Sequence, residues 1–381
     1  MYNKLISIIS ILLCSLITAC TSPHYAERTV ITRDELLSGS ALFGEEAEQW
    51  ELPYHEILKL DDEMRSFVHQ VTAKRYSDNG RAKALLTGMI DHGLLGLEYD
   101  ARKTYSASDT FHKKTGNCLA FTNLFVALAR EAELDVTFQQ VDVPPIWMKG
   151  GDVIVLNRHI NAYIDIEFAY DNVVDFNRDE FRSDYDTRLI SDQEAFAQFY
   201  SNLGIGFLED KNYKDAYRYL KKALQLDPKS SSIWVNLGAL YSRNQLYKQS
   251  EAAYLYALEE DSRNYTAHSN LASLYEHWHD FVNAEYHQKR IRYYREINPY
   301  YHYWLSQQAF LNGDPYSALQ HLEKSIRLKS DESVFYFTKG LMFYDLKDFT
   351  SADKQFSLAM KYASQESIKE RYRSKLEKIK H

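Results

Sequence analysis

Apolar and polar residues follow two different rhythms along the chain. From residue 197 onward one pattern returns every 34 residues. Small residues fall at Gly204, Gly238, Ala272, Ser306 and Gly340, and again at Ala216, Ser250, Ala284, Ala318 and Ala352. Bulky ones fall at Phe207, Tyr241, Tyr275 and Phe343, with Ala309 the exception. Each unit predicts two antiparallel helices: the small residues let them approach closely, and the aromatic fills the gap to the next unit. Five units span 197–366, and SIKERYRSKLEKIKH, 367–381, predicts a capping helix with one polar face. Before residue 195 the rhythm is mixed. Helices are predicted at 61–75 and 81–94, and a third, CLAFTNLFVALAREAEL, begins near Cys118 and is apolar almost all round through Leu128. Runs at 136–143, 152–156, 159–166 and 172–176 then read as strands, with Ile160, Ala162, Ile164 and Ile166 on one face and His159, Asn161, Tyr163 and Asp165 on the other.

The 34-residue unit, clearest in WVNLGALYSRNQLYKQSEAAYLYAL, resembles the tetratricopeptide repeat. Departures are Lys339 where other units have leucine, Gln288 where an aromatic is usual, and a helix-ending proline kept only at Pro228. The resemblance implies a concave groove for a peptide or partner protein, lined by the first helix of each pair. Asn202, Asn236 and Asn270 recur at one repeat position, where a side-chain amide can hold an extended backbone; asparagine there is also simply common in this repeat. His268, His277, His279, His287 and His302 lack a metal-ligand spacing, so no metal is implied.

The first 20 residues, MYNKLISIISILLCSLITAC, carry one lysine, a short apolar run and small residues ahead of a cysteine. Such a run is too short to span a bilayer and reads as a signal peptide, 1–19. Its end, Leu16 to Cys20, resembles the lipobox of bacterial lipoproteins. The resemblance implies lipidation at Cys20, an outer-membrane anchor and, with residues 20–50 as a polar tether, a domain held on the periplasmic face. A net charge of −8 provides no basic footprint for nucleic acid.

With Cys14 and Cys20 accounted for, Cys118 is the one remaining thiol of the 381-residue chain, so no intramolecular disulfide is available to it. It is either a small buried hydrophobe or a nucleophile. Asn117, or Thr115 before it, can cap the helix that follows, which places the thiol in the first turn beside unpaired backbone N–H groups. Those groups and the positive end of the helix dipole favour a thiolate and form an oxyanion hole. His159 starts a strand and Asp175 ends the next, the arrangement of a base and the carboxylate that orients it; Asp165 and Asp171 are the nearby alternatives.

Cys118 in TGNCLAFTNLFVALARE, His159 in RHINAYIDI and Asp175 in NVVDFN resemble, in order and spacing, the Cys-His-Asp triad of the transglutaminase-like superfamily within the papain-like fold. The likeness covers roughly 60–190, and the residues after the histidine depart from the family pattern. It implies an α+β papain-like, transglutaminase-like domain over 51–195, ahead of an all-α repeat solenoid. The implied activity is cysteine acyl transfer or amide hydrolysis with no cofactor, and Trp147 in the loop 143–152 is placed to wall a substrate site. The alternative expectation is a non-enzymatic scaffold lipoprotein that binds partners through its repeats.

Overall fold

The computed structural model describes residues 31–93, 98–142, 146–147, 153–154, 159–165, 173–174, 185–363 and 366–380. Cys20, Asp171 and Asp175 lie outside these.

Two short helices open the described chain, α1 (Arg33–Ser38) and α2 (Ser40–Phe43), followed by a 3-10 turn at Glu45–Gln49. The mixed region then contains α3 (Asp62–Thr72), α4 (Asp78–Asp91), β1 (Glu98–Tyr99), α5 (Ala107–Lys113), β2 (Thr115–Gly116) and α6 (Cys118–Glu131). After α6 come β3 (Val136–Val141), β4 (Ile146–Trp147), β5 (Val153–Ile154), β6 (His159–Ile164), β7 (Val173–Val174) and β8 (Thr187–Ile190). Helix starts follow their caps: Asp61, Ser77, Ser106 and Asn117 each accept a backbone N–H of the first turn. Capped by Ser77, α4 starts at Asp78, three residues before the predicted 81, and Lys74, at φ 64°, stands just beyond the end of α3.

β3, β6, β7 and β8 form an antiparallel sheet in the order β7-β6-β3-β8. Its buried face takes Phe138, Ile160, Ala162 and Ile164, and α6 is buried nearly all round against it. β8 had no alternating signal because it is an exposed edge strand; its residues read from sequence as a joining segment.

Ten helices then pair in sequence order: α7 (Asp192–Glu209) with α8 (Tyr213–Leu226), α9 (Ser231–Arg243) with α10 (Tyr247–Glu260), and α11 (Tyr265–His277) with α12 (Phe281–Ile297). α13 (Pro299–Leu311) pairs with α14 (Pro315–Leu328), and α15 (Ser333–Asp345) with α16 (Phe349–Tyr362). α17 (Glu366–Lys380) covers the last pair, with Tyr372 stacked on Phe337 at 4.2 Å. The small residues do what their spacing requires: a Cβ at Gly204, Gly238 or Gly340 would lie 2.9, 2.5 or 2.4 Å from the partner helix's Leu220, Tyr254 or Phe356. Each pair turns through one left-handed residue, Lys211, Gln245, His279, Gly313 and Lys347. Glycine fills that position in one unit of five, so the turn was invisible to residue type.

No flexible linker separates the two regions. Ser191 caps α7 with a reciprocal Glu194 bond, Arg130 holds Asp192 through two bonds of 2.6 and 2.8 Å, and Phe138 meets Phe196 edge to face.

Residues 31–50 belong to the stretch expected to be a polar tether, yet they pack onto the second helix of the first repeat and both helices of the second. Tyr256, Tyr241 and Tyr217 donate hydroxyl bonds to the carbonyls of Ile31, Leu36 and Leu37 at 2.9, 2.5 and 2.6 Å. Arg33 pairs with Glu259 and Glu260 and lies over Trp234 and Tyr256. Leu36 is fully buried. Composition hid this because the docking relies on backbone carbonyls and on a few scattered apolar side chains, Leu36, Phe43, Ala47 and Trp50 among them. Gly39 joins α1 to α2 at φ 76°, and a Cβ there would lie 2.5 Å from the Tyr217 ring. Gly39→Ala should therefore cost about 2 kcal/mol or more in this docking, from the left-handed backbone and the clash. Hydrogen exchange over 31–51 should rise sharply in that variant while α13 to α17 keep their protection; unchanged exchange would refute the docking.

Candidate functional site

The first helices of the repeats carry the asparagines. Asn236 donates to Ser201 of the preceding unit at 3.0 Å, and Asn270 bonds the buried Tyr254 hydroxyl, whose pKa burial pushes up. Two of the three amides are thus engaged between neighbouring units. Asn202, in the first unit, is half-buried.

At the second site, Cys118 is the first residue of α6, and Asn117 caps it by accepting from the Ala120 N–H at 3.0 Å. Asn117 is held in turn: its amide donates to Thr104 at 2.7 Å, and its N–H donates to the Lys103 carbonyl. Gly116 is extended and abuts Ala120, and the Cys118 thiol lies 3.6 Å from the Tyr99 hydroxyl. A threonine ties the start of the His159 strand to this region. The Thr122 hydroxyl, one turn into α6, lies 2.9 Å from the Cys118 carbonyl and 3.1 Å from the Ile160 carbonyl and shares its one proton between them, so the start of β6 is fastened to the first turns of α6. The polar face of β6 is not open to solvent: His159 is 4% and Asn161 0% exposed. Asp165 ends β6 at the far end from His159, which removes it as the orienting carboxylate; Asp175 follows β7, whose Val174 pairs with Ala162. Trp147 sits on β4 opposite Val153.

The His159 end of the sheet adjoins the repeats. Val141 pairs with His159 on one side and Thr187 on the other, and Asp142 donates to the Asp186 carbonyl. Asp186 reaches Lys329 at 3.8 Å, and Tyr185 meets Tyr300, on the first helix of the fourth pair, at 5.9 Å.

Sequence reasoning saw scattered histidines; folding brings two together. His268 and His287, on α11 and α12, meet Nδ1 to Nδ1 at 2.7 Å, and both are buried. His268 Nε2 faces the Ser262 carbonyl and so carries the proton, which leaves His268 Nδ1 to accept from His287 Nδ1–H. Burial, then the neighbouring His268 and Arg290, pushes His287 down to about 3, and burial lowers His268 too. The unfolded chain binds protons near 6.5 that the folded pair refuses, so stability should be full above pH 6.5 and fall as pH drops toward about 3. The slope approaches about 1.4 kcal/mol per pH unit for each group. His287→Gln should flatten it in urea titrations between pH 6 and 4; an unchanged slope would exclude the pair as its source. Among the described residues no three His, Cys, Asp or Glu side chains are grouped to hold a metal.

A tetratricopeptide-repeat family profile matches residues 207–261. A protein O-mannosyl-transferase of Caenorhabditis elegans is 31% identical over 81 residues, 21% of this chain, and the match spans only 12% of that protein's length. Similar solved structures include Pseudomonas aeruginosa PilF, at 22% identity, covering 46% of this chain and 80% of that one with a TM-score of 0.26. MamA from Desulfovibrio magneticus is 15% identical, covering 45% of this chain and 96% of that one with a TM-score of 0.25. The 34-residue period, the helix pairs and the profile agree: the C-terminal half is an all-helical tetratricopeptide-repeat solenoid, a fold that serves protein binding.

Proposed function

We propose that the protein is a scaffold that holds a partner polypeptide along the first helices of its repeats. The uninterrupted stack of five helix pairs carries this reading, since such an array presents one long surface made of equivalent positions. Its attachment to a membrane through a lipid on Cys20 belongs to the same proposal and rests on the Leu16–Cys20 pattern. A photo-crosslinking residue at Ser269, exposed on α11, should capture a partner that the same residue at Lys248, exposed on α10, does not. Equal yields from both positions would overturn the assignment of the face.

A second reading is supported by the bond of Thr122 to the Ile160 carbonyl, which ties the start of β6 to the first turns of α6. In this reading 51–195 is a transglutaminase-like unit. The Cys118 thiol gives its proton to His159, the sulfur attacks an amide carbonyl to form a thioester, and the amine leaves with that proton; Asp175 orients the imidazolium, and water or an amine resolves the thioester. The contacts of Tyr185 and Asp186 with the fourth pair favour a shared task, in which the repeats hold the polypeptide presented to Cys118.

A further inference from the structure

Arg33 shows what the outer side of these repeats can grip. Its guanidinium lies over Trp234 and Tyr256, 5.5 and 4.8 Å from the ring centres, and pairs with Glu259 and Glu260. Thirty-four residues on, the positions of Trp234 and Tyr256 are taken by His268 and Arg290. The aromatic and acidic cradle that holds a cation in the second repeat thus becomes basic in the third. There a cavity of about 390 Å³ opens between α10 and α12. Leu255 and Leu258 form its apolar wall, and His268, Tyr286, His287 and Arg290 its polar side.

The charge in this cavity is unbalanced. Arg290 donates to the Tyr294 hydroxyl and lies over that ring, and it has no carboxylate at ion-pair distance among the described residues. Glu259, on the rim, is already committed to Arg33. The groove one repeat earlier is filled by a polypeptide segment, residues 31–39, whose carbonyls accept from tyrosine hydroxyls and whose one cation fills the cradle.

We propose that the cavity between α10 and α12 docks an acidic peptide segment of a partner protein, with one carboxylate on Arg290 and an apolar neighbour on Leu255 and Leu258. It is a second docking face, built chiefly from second helices, and it stands whatever that groove holds. A charge-assisted pair in a partly desolvated cradle discriminates carboxylate from cation by at least about tenfold.

The test uses the full chain and three capped synthetic peptides of residues 31–39 that carry Glu, Gln or Arg at the third position, titrated by fluorescence anisotropy. The Glu peptide should bind at least tenfold tighter than the Arg peptide, with Gln between. Arg290→Gln should erase the preference and Arg290→Lys should restore part of it, with circular dichroism confirming that the helices persist. Peptides that bind alike, a Glu peptide that does not bind, an Arg peptide that binds best by displacing the chain's own segment, or a preference that survives Arg290→Gln would each overturn the proposal.

Discussion

Gly238→Ala should destabilise the repeats by about 2 kcal/mol, whereas Gly206→Ala, also within a first helix, should stabilise them by about 0.5–1 kcal/mol. The substitution is the same and the helical preference for alanine is the same, about 1 kcal/mol. What differs is the space. A Cβ at Gly238 would lie 2.5 and 2.6 Å from the Tyr254 ring, which is itself buried, while a Cβ at Gly206 meets nothing within 4 Å. Overpacking of about 3 kcal/mol at the first site therefore exceeds the propensity gain, and at the second the gain stands alone. Urea unfolding followed by circular dichroism separates the two; shifts of the same sign would mean that the first and second helices of the pair are not seated on one another as described.

The second large effect concerns Cys118. If His159 takes the thiol proton, iodoacetamide should alkylate Cys118 at least tenfold more slowly in His159→Ala than in the parent chain at neutral pH. Asn117→Ala should slow it as well, because the cap that orders the first turn, worth about 1 kcal/mol, would be lost. A rate that ignores both substitutions would remove the cysteine reading and leave the scaffold as the single function. A rate that responds to His159 but not to Asn117 would keep the base and discard the helix end as its partner.

The two regions differed in how much of them the sequence disclosed, and the reason is physical. A helix pair that stacks on a copy of itself must satisfy the same contacts every 34 residues, so Gly204, Gly238 and Gly340 advertise the packing by repetition. The strands have no such copy. β8 is an exposed edge and yields no alternation, whereas β6 alternates in sequence yet is buried on both faces around His159 and Asn161, so its pattern shows the strand and not the burial of its polar side. The candidate site was legible where chemistry is local: Asn117 and Cys118 are neighbours in sequence, and the cap follows from residue type. The fastening of β6 to α6 by Thr122 was not, since a threonine inside an apolar helix carries no mark of its partner 38 residues away.

By itself the sequence determined the solenoid, its five units and the capped helix that starts at Cys118, because period and capping depend on residues close together in the chain. The tertiary structure decided that residues 31–51 grip the repeats through tyrosine hydroxyls, that His268 meets His287, and that Arg33 fills the cradle of one repeat while Arg290 lines the cavity of the next. Each of these joins residues brought together by packing, and backbone carbonyls, unlike side chains, have no letter in the sequence to reveal what will bind them.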